Sequence, residues 1–121
     1  AAGINPDDLA VIRRQAAAFE ATKSRLPDLA RLVSSEDWIF TRNLLHGPMQ
    51  EVGREMLYIN LRLDRSERKQ ADKIARKLKD ALADLDEAAR LQDGSRLQRS
   101  YSALAASFDA YSEVIPAEAF S

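Results

Sequence analysis

The stretch NLLHGPMQEVGREML, Asn43 to Leu57, carries Gly47-Pro48 inside what otherwise reads as a long helix. A proline there forfeits the bond to the carbonyl four residues back and crowds it, at ~3 kcal/mol, and Gly costs roughly 1 kcal/mol more than Ala. The apolar phase nevertheless runs through: Leu45 and Met49 are one helical turn apart, and Val52, Met56, Ile59 and Leu63 follow in step. An unbroken phase predicts one helix that bends, with its kink at His46, Gly47 and Pro48, rather than a loop between two helices. Gly47 suits a kink because the residue before proline is pushed out of the α region, and glycine bears that with least steric cost.

Outward from this stretch, apolar residues recur at helical spacing and β-branched runs of period two are absent, which predicts an all-α chain. A first helix is expected over about residues 6–33, with Asn5 as cap, Pro6 in its first position, and Asp7 and Asp8 facing the positive end of the dipole. Its seam is Leu9, Ile12, Ala16, Phe19, Leu26, Ala30 and Val33, and Pro27 should bend or divide it near Arg25. The kinked second helix, about 36–63, begins after Ser34 and Ser35, with Glu36 and Asp37 in its first turn and Trp38 opening its seam. Asp64 and Ser66 are candidate caps for a third helix, about 66–92, ended by Gly94 as the left-handed residue. Ser95 is expected to cap a fourth, about 95–114, whose seam of Leu97, Tyr101, Leu104, Phe108, Tyr111 and Ile115 runs to Pro116. Short connections force antiparallel neighbours, so the expected architecture is an up-down-up-down antiparallel four-helix bundle, one domain over residues 1–121. Its core should join Phe19, Trp38, Val52, Met56, Ile74, Leu78, Leu85, Leu104, Phe108 and Tyr111.

Eighteen Lys and Arg against nineteen Asp and Glu leave a net charge of −1, so no global field would hold nucleic acid or an anionic membrane. With no cysteine, these residues offer no disulfide, thiolate nucleophile, c-type haem attachment or Cys-ligated zinc. A di-iron bundle needs Glu-x-x-His on two helices, and the single histidine, His46, is preceded at that spacing by Asn43. Axial haem ligands would come from separate helices, whereas Met49, Met56 and His46 share the second, so the methionines read as core filler. For His46, one ligand of an adventitious zinc is the alternative to a structural or partly exposed histidine at the kink, and the latter is preferred. There is no Ser-His-Asp logic and no phosphate-cradling glycine loop, so neither an enzyme nor a cofactor is expected. Trp38 and the Tyr101, Phe108, Tyr111 stripe have core spacing rather than that of a stacking box. No apolar run approaches the eighteen or so residues that span a bilayer, and no signal-peptide pattern is present. The chain opens at Ala1 and not at Met, which leaves room for an upstream targeting segment.

Charge is uneven along the chain. Eight cations fall between Arg62 and Lys79, ahead of Asp80, Asp84, Asp86 and Glu87. A solvated face is the plain reading; the functional one is a docking patch for an acidic partner at the elbow of Arg62, Arg65, Arg68 and Lys69.

DWIFTRNLLHGPMQEVGREML, Asp37 to Leu57, resembles the second-helix signature of the PsbQ family, the extrinsic lumenal proteins of photosystem II, in its cyanobacterial form. The shared marks are Trp38 near the helix start, His46-Gly47-Pro48, then Arg54 and Met56-Leu57. YSALAASFDAYSEVIP, Tyr101 to Pro116, is similar to the last helix of that family, with Phe108-Asp109 and the terminal Ile115-Pro116. The resemblance implies a protein of the thylakoid lumen that binds the photosystem II core beside other extrinsic subunits. There it would help retain calcium and chloride and stabilise the water-oxidising complex, with no chemistry of its own. Cyanobacterial members are typically lipoproteins anchored to the thylakoid membrane through an N-terminal Cys, which this chain lacks, as a chain starting downstream of it would; a red-algal member without a lipid is the alternative expectation. Zinc is associated with some members, but His46 alone gives no reason to assign a site. The competing expectation is a generic four-helix adaptor or small-ligand-binding bundle unrelated to photosynthesis.

Overall fold

A computed structural model describes residues 4–121. Among them all regular structure is helical: α1 (Pro6–Lys23), α2 (Leu26–Ser34), α3 (Trp38–His46), α4 (Val52–Asn60), α5 (Arg65–Arg90), α6 (Gly94–Val114) and a closing 3-10 turn, Ala117–Phe120. α1 packs on α4 and on the closing turn, α2 on α3 and α6, α3 and α4 on α5, and α5 on α6.

The caps follow short-range chemistry. Asn5 accepts from the Asp7 amide at 2.8 Å, and Pro6 fills the first helical position of α1. As Pro27 predicts, the first segment divides: Ser24 and Arg25 form the junction, and Pro27 sits in the first turn of α2. Entry to α3 differs from expectation, because Asp37 is the cap, accepting from the Phe40 amide at 3.1 Å, while Glu36 takes a left-handed φ of 53°. Asp64 caps α5 through the Glu67 amide at 3.1 Å. At the next turn Gly94 does not supply the left-handed residue. Gln92 does, at φ 53°, and Gly94 is instead the first residue of α6, which Asp93 rather than Ser95 caps. The aspartate wins because its carboxylate reaches the Arg96 amide at 3.1 Å and carries the charge that suits a helix start.

The second segment is not one bent helix. α3 ends at His46, and residues 47–51 form hydrogen-bonded turns before α4 begins. Pro48 has no N–H for the Leu44 carbonyl, so the Met49 amide takes it instead, at 3.2 Å. Gly47 moves to φ −112°, ψ −100°, and a Cβ there would stand 2.9 Å from the Asn43 carbonyl oxygen. Gln50 then bonds back to Gly47 and Val52 to Met49, which carries the chain into α4. The inward phase survives the break, since Leu45, Met49, Val52 and Met56 are all buried.

The core draws on every long element. Phe19, Met56, Leu78, Leu85, Leu104, Phe108 and Tyr111 are fully buried, while Trp38 and Ile74 only lean against the cluster. Phe19 stacks at 4.9 Å on Tyr111 and 5.3 Å on Phe108, binding α1 to α6. The Tyr111 hydroxyl is shared between Asn60 Oδ1 and the Met56 carbonyl, and Asn60 Nδ2 donates to Asp72 at 2.8 Å. Burial, with the Asp72 charge adding, pushes the Tyr111 phenol far above its ordinary range, so it stays a neutral donor tying α4 to α6.

Candidate docking surface

At the elbow between α4 and α5 the four expected cations have separate duties. Arg68 is turned inward: its guanidinium donates to the carbonyls of Asn60 (3.0 Å), Leu61 (2.9 Å) and Leu63 (3.2 Å). The Asn60 carbonyl also takes the Leu63 amide at 3.2 Å, and Leu61 and Leu63 lie just past the end of α4, so Arg68 caps the exit from α4 from the next helix. Arg62 donates to the Tyr58 carbonyl at 3.2 Å and stands 3.9 Å from Asp8 of α1. Arg65 and Lys69 are exposed and make no ion pair or side-chain hydrogen bond among the described residues. The elbow therefore offers two uncommitted cations, not four.

At the break, His46 lies at the last position of α3 with Nε2 2.9 Å from Asp86 Oδ1 of α5; Arg42, one turn earlier, holds the same oxygen at 3.0 Å. Burial pushes the Asp86 carboxyl up, but the hydrogen bonds from Arg42 and His46 outweigh it and hold it below its ordinary value. His46 thus staples the break to α5, and Gly47 and Pro48 form the turn it anchors. Among the described residues no group of three or more His, Asp or Glu converges as a metal ligand set. The aromatic stripe offers no stacking platform: Phe108 and Tyr111 are sealed against Phe19, and the Tyr101 hydroxyl donates to the Leu26 carbonyl at 3.3 Å.

One carboxylate is oddly placed. Glu55 of α4 has a buried Oε1 with no partner. Burial raises its pKa above the ordinary 4.5, a contact with Thr22 of α1 only partly offsets this, and Glu51 adds repulsion.

Off-seam apolar residues were the signal the sequence offered for surface function. Ile39 and Phe40 on α3, Leu57 and Tyr58 on α4, and Leu61 at the C-terminal cap of α4 fall outside the inward register and are exposed. They divide by charge environment. Beside Ile39 and Phe40, Arg42 is paired with Asp86 and Arg31 with Asp28 at 2.7 Å. Leu57 and Leu61 lie by the elbow, where cations remain unpaired.

The PsbQ family, described as oxygen evolving enhancer protein 3, matches residues 2–116. Among curated proteins, the chain is 28% identical over 88 residues to CyanoQ of Synechocystis sp., an alignment covering 73% of this chain and 59% of that relative. The aligned chain thus spans about three-fifths of that relative's length.

Proposed function

The chain belongs to the PsbQ family, and on that ground we propose that it is a non-enzymatic extrinsic subunit that docks on the lumenal side of photosystem II. The observation that carries this reading is the family match along residues 2–116. No helix among the described residues is long and apolar enough to cross a membrane, which suits a peripheral role. In this reading the protein lies in the thylakoid lumen, contacts the core and other extrinsic subunits, and stabilises the water-oxidising complex so that calcium and chloride are retained. Attachment to the thylakoid membrane through a lipid outside this chain belongs to the same proposal. So does a single-domain, up-down-up-down bundle: the pairing of α1 with α4 and of α2 with α3 is what an antiparallel hairpin of two divided segments produces.

The test is reconstitution. Photosystem II core stripped of extrinsic proteins should bind the chain saturably, and the loaded complex should keep more oxygen evolution than the bare one in medium limited in calcium and chloride. Failure to bind would overturn the docking reading. Binding with no gain in activity would overturn the retention role.

A further inference from the structure

α4 and α5 share an outer face in a defined antiparallel register. Asn60 Nδ2 bonds Asp72 at 2.8 Å, and one helical repeat away Gly53 receives the stem of Lys79, whose Cδ would be 3.4 Å from a Cβ at that glycine. The Lys79 stem therefore lies along α4 at Gly53. Leu57 and Leu61, successive turns on the same outer side of α4, are each 50% exposed. On α5, Arg65, Lys69 and Arg76 fall on one outward stripe about 17 Å long. None of these three cations, nor Lys79, has a carboxylate within 4.0 Å among the described residues. Several arginines elsewhere are neutralised within the chain, Arg25 by Asp28, Arg54 by Glu51 and Arg96 by Asp84. Arg13 and Arg14 on α1 are exposed and unpaired among the described residues but have no exposed leucine pair beside them on α1. Arg65 and Lys69 also stand near the positive end of the α5 dipole, so helix stability does not explain them.

We propose that this α4–α5 face grips an acidic, partly apolar segment of a partner protein, with Leu57 and Leu61 as anchors and Arg65, Lys69, Arg76 and Lys79 as the charged rim. The proposal rests on the docking reading above and supplies its contact surface. An apolar centre within a charged rim is the ordinary anatomy of a protein interface, and the rim fixes orientation and encounter rate. A lipid surface fits less well, because two half-exposed leucines are a small apolar payload for insertion at the acyl boundary. Asp72 would also be repelled by anionic headgroups, whereas a protein can present a matching donor to it.

The experiment titrates stripped photosystem II core with the parent chain and three double variants. These are Leu57→Gln with Leu61→Gln, Arg76→Glu with Lys79→Glu, and, on the exposed side of α1, Arg13→Glu with Arg14→Glu. If the parent does not bind, the docking reading itself falls. If it binds, both α4–α5 variants should bind about tenfold more weakly, the charge variant with a flatter salt dependence, and the α1 variant should stay within about twofold of the parent. Equal binding of parent and α4–α5 variants would overturn the surface. An equal loss in the α1 variant would reduce the effect to net charge and overturn it too. Sedimentation of the parent with phosphatidylglycerol vesicles that is lost in the α4–α5 variants, with core binding intact, would overturn the protein partner. Carbodiimide coupling of the unsubstituted chain to the core supplies a readout free of folding effects: adducts through Lys69 or Lys79 support the surface, and adducts only through other lysines refute it.

Discussion

Four cations stand at the elbow between α4 and α5, and the backbone takes up the guanidinium of one of them. Arg68 sits in the densest basic stretch and reads as a docking charge, yet it is spent on three backbone carbonyls, and only the distances reveal it. Gln92 is a similar case: a Gly two residues on looks like the helix stop, but the left-handed position falls where no glycine is available. Glu55 carries a testable consequence. Folding raises its pKa above 4.5, so this group favours the folded state fully below about that pH, and the benefit is lost as pH rises through the raised folded value. Asp84, held below its ordinary value by Arg96 and Ser100, acts in the opposite sense and loses its contribution on acidification. Glu55→Gln, which keeps the shape and removes the charge, should raise the melting temperature at pH 7 and bring much less gain at pH 4. Parallel thermal melts at the two pH values check this; an equal shift at both would detach the effect from ionisation.

Among the elements, α5 and α6 span close to the residues that periodicity gives them, although Gln92 and not Gly94 is the left-handed residue between them and Asp93 and not Ser95 caps α6. The first division, at Ser24 and Arg25, was legible because Pro27 lies within a turn of it. The second was legible in position but not in extent. Phase continuity through Leu45, Met49 and Val52 records which side faces inward, and a short turn can preserve that side as well as a bent helix can. What the pattern cannot encode is the swing of Gly47 and the transfer of the Leu44 carbonyl to Met49. Because the inward face is shared by both conformations, Pro48→Ala should leave the fold intact. Restoring the amide removes a helix penalty of ~3 kcal/mol, so helical ellipticity at 222 nm should rise and the melting temperature should hold or increase. A fall in both would mean that the turn itself is required for packing against α5.

For the molecule as a whole, the all-helical composition and the bulk of the core were readable from one-dimensional spacing. Trp38 was over-assigned to the core because the first residue of a helix has fewer neighbours to cover it, and Ile74 packs on the core only from its edge. The proposed docking face was only half readable: its cations stood out, but its leucines count as surface only once the inward register of α4 is known. The two divided segments lie against each other, α1 on α4 and α2 on α3, so their interruptions come side by side, whereas α5 and α6 run unbroken beside them. The molecule therefore pairs two interrupted segments with two continuous helices that splint them. Nine-residue helices such as α2 and α3 hold few internal amide bonds and can open without the rest. In deuterated buffer their amides should exchange by local opening, largely insensitive to low denaturant, while those in the middle of α5 and α6 should wait for global unfolding. Uniform protection across all six helices would mean that the joint transmits cooperativity as fully as an unbroken backbone.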